Sequence, residues 1–207
     1  MQKYIVECIG TFFLVLVISL SANPLAIGAI LTAMVYMGGY ISGGHYNPAV
    51  TFAVFLRKKI SAYDALRYVL VQFLGGFAAA IVYFLLKGEM FMVRVGEGAT
   101  YVDAFFVEAF FTFALCSVVL HTATAEKNTP NQFYGLAIGF TVLAGAFSAG
   151  TISGAAFNPA VALGPILVDV LHIGVHSKEF LLYLLGPLTG ALAAGFLFSD
   201  QFLGRKK

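Results

Sequence analysis

Two Asn-Pro-Ala tripeptides, Asn47-Pro48-Ala49 and Asn158-Pro159-Ala160, stand inside apolar sequence. Asn favours the residue just before a helix, and Pro suits the first helical position, where its missing N–H goes unmissed. Each tripeptide therefore predicts a helix start. The apolar stretches that follow, 50–56 and 161–168, are too short to cross a bilayer. At about 1.5 Å per residue, ten residues cover roughly half of a 30 Å hydrocarbon core. Such a helix start carries roughly +0.5 elementary charge, and its Asn offers an amide donor. The chemistry on offer is hydrogen bonding and electrostatic exclusion rather than bond-making.

The remaining polar candidates are few. Glu7 and Glu108 lie within apolar runs, where an ionisable group is functional by default. Either they carry protons in a coupled transporter, or their carboxylates accept N–H groups from irregular backbone. Their equivalence across an internal repeat favours bracing. His45 is expected to hydrogen-bond within its loop, with a place in a pore lining as the alternative, and Gln72 to pair with backbone. His172 and His176 are four apart near the outer end, a spacing open to a metal or a pH gate, but no third ligand is evident; His121 reads as structural. Cys8 and Cys116 read as packed thiols, with no CxxC motif. No nucleophile–base pair, cofactor anchor or metal site is visible, so no enzyme is expected.

The elements that must position these groups follow from composition. Over 207 residues, 60% are hydrophobic and 11% charged, with a mean hydropathy of +0.90. Soluble domains are nearer one quarter charged, so a soluble fold is excluded. Disorder is excluded by 21 Phe and 10 Tyr, and a net charge of +2 leaves no nucleic-acid footprint. An integral membrane protein remains. Spans are read at 4–22, 25–43, 62–86, 103–123, 133–151 and 179–199. The first could pass for a secretory signal, with Lys3 ahead of the apolar run and Ser19-Leu20-Ser21 as a cleavage site. Glu7 and a second copy of the segment argue against it. Lys3, Arg57, Lys58, Lys59, Arg67, Lys127, Arg205, Lys206 and Lys207 fall on one side, and Lys87, Arg94 and Lys178 on the other. The positive-inside rule then puts both termini in the cytoplasm. Four glycine pairs spaced four apart, 39/43, 135/139, 150/154 and 186/190, predict close helix crossings. Short tails and no added targeting segment point to the plasma membrane.

The chain is also a duplication. ISGGHYNPAV at 41–50 and ISGAAFNPAV at 152–161 match at seven of ten positions. Upstream, Glu7 and Thr11 recur as Glu108 and Thr112; downstream, Tyr68 and Gly75 recur as Tyr183 and Gly190. The halves are about 1–101 and 102–207 of a single domain. Three spans per half is an odd number, so the second half enters from the opposite face, an inverted-topology repeat. The fold class is an all-α membrane protein of six transmembrane helices plus two re-entrant half-helices meeting end to end at the midplane. Non-helical backbone before each half-helix is tolerated at that depth only beside water or buried in protein. Carbonyls around Gly44, His45, Tyr46, Ala156 and Phe157 are therefore expected to line a polar path. Two positive helix ends at the midplane repel cations. Passive conduction of small uncharged solutes follows.

These residues resemble the aquaporin, or major intrinsic protein, family over nearly the whole chain. SGGHYNPAVT at 42–51, SGAAFNPAVALGP at 153–165, the two Glu, and YVLVQFLGG against YLLGPLTGA carry the likeness. The resemblance implies a homotetramer with one pore per subunit, passing water, glycerol or similar neutral solutes. It places Asn47 and Asn158 at the pore centre and gives Glu7 and Glu108 the bracing of the loops. One position departs from the family pattern. Where Arg usually follows the second Asn-Pro-Ala, at the outer filter, Val161 stands, and Ile27, Ala146 and Ala155 occupy the other filter positions. Ala162 stands where glycerol facilitators often carry Asp. An apolar filter of this kind is expected to be wider and to pass glycerol-, urea- or ammonia-sized solutes along with water. The competing classes are a coupled secondary transporter, which would need coupling-ion ligands, and a structural membrane protein, which would need no polar path.

Overall fold

The computed structural model describes residues 1–128, 130–170 and 177–198. These form eight α-helices in chain order: α1 Gln2–Ser21, α2 Pro24–Ser42, α3 Pro48–Leu56, α4 Ala62–Lys87, α5 Tyr101–Thr122, α6 Tyr134–Ser153, α7 Pro159–Val170 and α8 Ser177–Leu197. Six are long and apolar enough to cross a membrane; α3 and α7 are not. Among the described residues there is no strand. Both histidines of the 172/176 pair, and the basic residues 205–207, lie outside the described residues.

Local sequence explains the helix ends. Asn23 caps α2 by accepting from Leu25 and Ala26 N–H, ahead of Pro24 at the first position. Ser61 caps α4 through Asp64 N–H, and Thr100 with Asp103 forms a reciprocal capping box on α5. Gly43 and Gly154 close α2 and α6 at φ +92° and +76°, a conformation costly for any residue with a Cβ.

Packing repeats between the halves. The most extensive contacts are α1 on α4 and, equivalently, α5 on α8. The short helices are exchanged: α3 packs on α8 and α7 on α4, so each half-helix leans on the other half's last span. α2 and α6 cross between the halves, with Gly28 and Gly139 at the crossing. Two of the four expected glycine pairs serve such crossings: 135/139 faces α2, and 186/190 faces α5. The other two pairs are mixed, with Gly39 facing Tyr134 of α6. Gly43 and Gly154 are helix ends, and a Cβ on Gly150 would meet nothing within 4 Å. Large apolar side chains such as Leu66, Leu70 and Leu74 on α4, or Phe106 and Phe110 on α5, point outward at helical spacing, as lipid-facing stripes must.

Candidate functional site

Between α2 and α3, and again between α6 and α7, the chain leaves the helix for five residues and starts a new one. In both segments the residue before Asn adopts a left-handed backbone, Tyr46 at φ +48° and Phe157 at φ +48°, rare for a bulky side chain. Hydrogen bonds on both flanks hold it there. Glu7 Oε1 accepts from Ser42 Oγ at 2.6 Å and His45 N–H at 2.9 Å; Oε2 accepts from Tyr46 N–H at 2.7 Å and Gln72 Nε2 at 2.9 Å. Glu108 does the same in the second half. Its Oε1 accepts from Ser153 Oγ at 2.7 Å and Ala156 N–H at 2.9 Å, and its Oε2 from Phe157 N–H at 2.6 Å. Both carboxylates are wholly buried. Tyr68 and Tyr183 add an outer layer, each hydroxyl donating to the last serine carbonyl of the preceding helix, at 2.8 and 2.7 Å.

The two segments then bind one another. Asn47 accepts from Ala49 N–H at 2.8 Å and donates through Nδ2 to the Phe157 carbonyl at 2.8 Å. Asn158 accepts from Ala160 N–H at 2.9 Å and donates to the Tyr46 carbonyl at 2.9 Å. Each amide thus caps its own helix and bonds across to the opposite loop, with Pro48 and Pro159 opening α3 and α7 behind it. An Asn amide has two N–H groups, so one on each side is left over. The Tyr46 and Phe157 carbonyls, expected to line a path, each accept one of these cross-links, which leaves a second lone pair on each. Two other expectations are refined. Gln72 pairs with side chains, donating to Glu7 and to Thr51 Oγ1 at 2.9 Å, not with backbone. His45 bonds Thr51 Oγ1 at 3.0 Å, within its own loop and helix, and still lines a cavity.

That cavity runs past the Asn pair and holds about 20 Å³, room for about one water at a time. Gly44, His45 and Asn47 line it from one half, and Ala155, Ala156, Phe157 and Asn158 from the other. The facing wall is aliphatic and drawn evenly from both halves: Leu14 and Ile18 with Leu115 and Val119, Ile27 and Leu31 with Ile138 and Val142. Val161 completes it. At one end His45 also lines a vestibule of about 470 Å³ with Lys3, Lys59, Asp64 and Tyr68. At the other, Ile18, Ile27 and Ala155 are shared with a vestibule of about 440 Å³ that includes Ala146 and Arg94. The four positions expected to form the filter therefore divide: Ile27 and Ala155 sit at the junction, Ala146 on the vestibule side, Val161 on the narrow side. Lys3 pairs with Asp64 at 2.8 Å and Lys59 with Glu126 at 3.0 Å beside the first vestibule.

Sequence reasoning missed Ser42, Ser153, Thr51 and Arg94. The two serines were legible: each is a polar residue duplicated at the same place in the repeat. Arg94 has no counterpart and carries no such signal.

Comparisons with known proteins agree with this fold. A family profile described as Major intrinsic protein matches residues 1–198. Nodulin-26 of Glycine max is 32% identical over 96% of this chain and 77% of its own length. Glycerol uptake facilitator protein-like 6 of Lactiplantibacillus plantarum is 34% identical over 95% of this chain and 96% of its own length. Among solved structures, the aquaglyceroporin from Plasmodium falciparum superposes with a TM-score of 0.84 at 20% identity, over 96% of this chain and 95% of that one.

Proposed function

The chain belongs to the major intrinsic protein family and is a multi-pass membrane channel for water and small solutes, not an enzyme; on that premise we propose where its pore runs and what it passes. The pore follows the three joined cavities, with Asn47, Pro48, Ala49, Asn158, Pro159 and Ala160 at its centre. The observation that carries this is the reciprocal pair of bonds from Asn47 to the Phe157 carbonyl and from Asn158 to the Tyr46 carbonyl. It sets two helix N-termini against one narrow cavity and leaves one amide N–H per Asn to hold a passing oxygen. Two positive helix ends oppose a cation at that point. Facing them, an aliphatic wall offers no competing hydrogen bonds, so a small neutral molecule moves from donor to carbonyl without being held.

Glu7 and Glu108 brace the loops. Each buried carboxylate already accepts three or four hydrogen bonds, and neither lines the central cavity or its vestibules, which suits a fixed acceptor rather than a proton carrier. The outer filter is Ile27, Ala146, Ala155 and Val161, apolar and open enough for glycerol-, urea- or ammonia-sized solutes. The whole chain 1–207 is one channel unit of two inverted halves, 1–101 and 102–207. It works as a homotetramer in the plasma membrane with both termini cytoplasmic, the orientation that the Lys and Arg distribution favours. The vestibule lined by Lys3 is then the inner one.

Stopped-flow light scattering on proteoliposomes tests this reading with water, glycerol and urea gradients. Non-saturating flux of all three, independent of ion and proton gradients, is expected. Saturable, gradient-coupled flux would select a coupled transporter, and water flux without any larger solute would overturn the wide filter.

A further inference from the structure

Residues 88–100 connect the halves, and their middle is pinned to the end of α6 and to Gly154, where the second re-entrant segment begins. Gly96 N–H donates to the Ile152 carbonyl at 2.9 Å, Val93 is buried, and a Cβ on Gly154 would come within 2.6 Å of Val93. A Cβ on Gly96 would overlap the Thr151 carbonyl. This docking sets Arg94 among the residues that line the outer vestibule, beside Ile27, Ala146 and Ala155. Among the described residues, Arg94 is the sole ionisable one lining that vestibule, and its side chain is exposed. Among the described residues its guanidinium makes no hydrogen bond or ion pair.

The site has a need for it. Beyond the junction the cavity narrows from about 440 Å³ to about 20 Å³ against Leu, Ile and Val walls. A hydrated urea or polyol must shed several waters to enter, and unreplaced hydrogen bonds are costly. Val161 supplies no donor there. A guanidinium supplies five N–H groups on a rigid fork and keeps its charge throughout the working pH range. We propose that Arg94 is a specificity-determining donor of the outer vestibule, taking the carbonyl or hydroxyl oxygens of small neutral solutes as they lose water before the narrow stretch. The proposal rests on the pore reading above and adds to it a residue from outside the repeat.

The test compares wild type with Arg94→Ala, Arg94→Lys and Gly96→Ala in proteoliposomes. Arg94→Ala should lower urea and glycerol permeability about three- to tenfold, the worth of one good hydrogen bond, and water permeability less than about twofold. Arg94→Lys should keep most of the urea and glycerol flux. Gly96→Ala, which pushes the connection off the Thr151 carbonyl without altering any charge, should change the urea-to-water ratio in the same direction as Arg94→Ala. An unchanged ratio in both would overturn the role. As a measurement that needs no loss of the native contact pattern elsewhere, Arg94→Cys labelled from outside with a bulky impermeant thiol reagent should lose flux of every solute, against a wild type unaffected by it. Labelling without loss of flux would also overturn the proposal. A wild type that passes no solute would overturn the pore itself; a conducting wild type with an unaltered ratio in the variants removes only Arg94.

Discussion

At the residue scale, the two carboxylates are equivalent in position and unequal in load. Glu7 serves four donors and Glu108 three, because Pro187 stands in the second half where Gln72 stands in the first and cannot donate. An orphaned buried donor costs about 1–3 kcal/mol. Glu7→Ala and Glu108→Ala should both lower the thermal midpoint in detergent, Glu7→Ala more, and neither should make flux depend on a proton gradient. Equal midpoints for wild type and both variants would mean the loops do not rely on these acceptors. The Asn pair gives a second prediction. In the double variant Asn47→Asp, Asn158→Asp, each carboxylate can still cap its helix and suits a helix N-terminus. It removes the N–H that reaches the opposite carbonyl and places negative charge where two helix ends oppose cations. Proton or cation leak, followed with a pH-sensitive dye inside vesicles, should rise; a folded double variant that stays tight would place the barrier elsewhere. Both predictions concern residues legible from the sequence, since a polar residue kept at matching positions of two apolar repeats has few structural uses. The partners were less legible. Gln72 and His45 meet at Thr51 through the fold of α3 against α4, a contact no local pattern announces.

At the element scale, the sequence spoke through duplication and capping. The six spans fall within two residues of the expected bounds, and both half-helices begin at the proline of the repeated motif. Glycine spacing was a weaker guide, because one pattern covers three physical situations: helix crossing, left-handed helix end, and open surface. This separates two substitutions that look alike on paper. A Cβ at Gly190 would collide with the Ala109 carbonyl and come within 2.7 Å of the Phe113 nitrogen, both main-chain atoms of α5 that cannot yield. Gly190→Ala should therefore force α8 from α5 and destabilise the protein by about 1–3 kcal/mol. Gly150→Ala meets nothing within 4 Å, and should be neutral or stabilise α6 by up to about 1 kcal/mol. Thermal unfolding of the two purified variants checks the contrast; a loss at Gly150 equal to that at Gly190 would contradict the packing of α5 on α8.

At the scale of the whole molecule, function depends on where the two halves are joined and where they are not alike. Symmetry supplies the centre: two Asn, two braced loops and a wall shared evenly by α1, α2, α5 and α6. Those wall residues were illegible beforehand, because an aliphatic side chain in a span reads the same whether it faces lipid, another helix or a solute. Asymmetry supplies the mouths, with paired charges at one end and, at the other, Arg94 beside an apolar ring. Val161 is where this asymmetry is most open to test. It is almost fully buried, 1% exposed, on the narrow side of the junction. The narrow cavity cannot house an Arg side chain, so the guanidinium of Val161→Arg must extend past Ile27 and Ala155 into the outer vestibule. A charge so little exposed to water must find acceptors there to be tolerated. It would narrow the ring and set a second cation near Arg94. Glycerol and urea should then lose far more permeability than water, measured per folded channel after thermal unfolding confirms that the variant is intact. Were the glycerol-to-water ratio to stay as in wild type, the ring at Ile27, Ala146, Ala155 and Val161 would not select by size, and the Asn pair, where the cavity is already one water wide, would be the step that does.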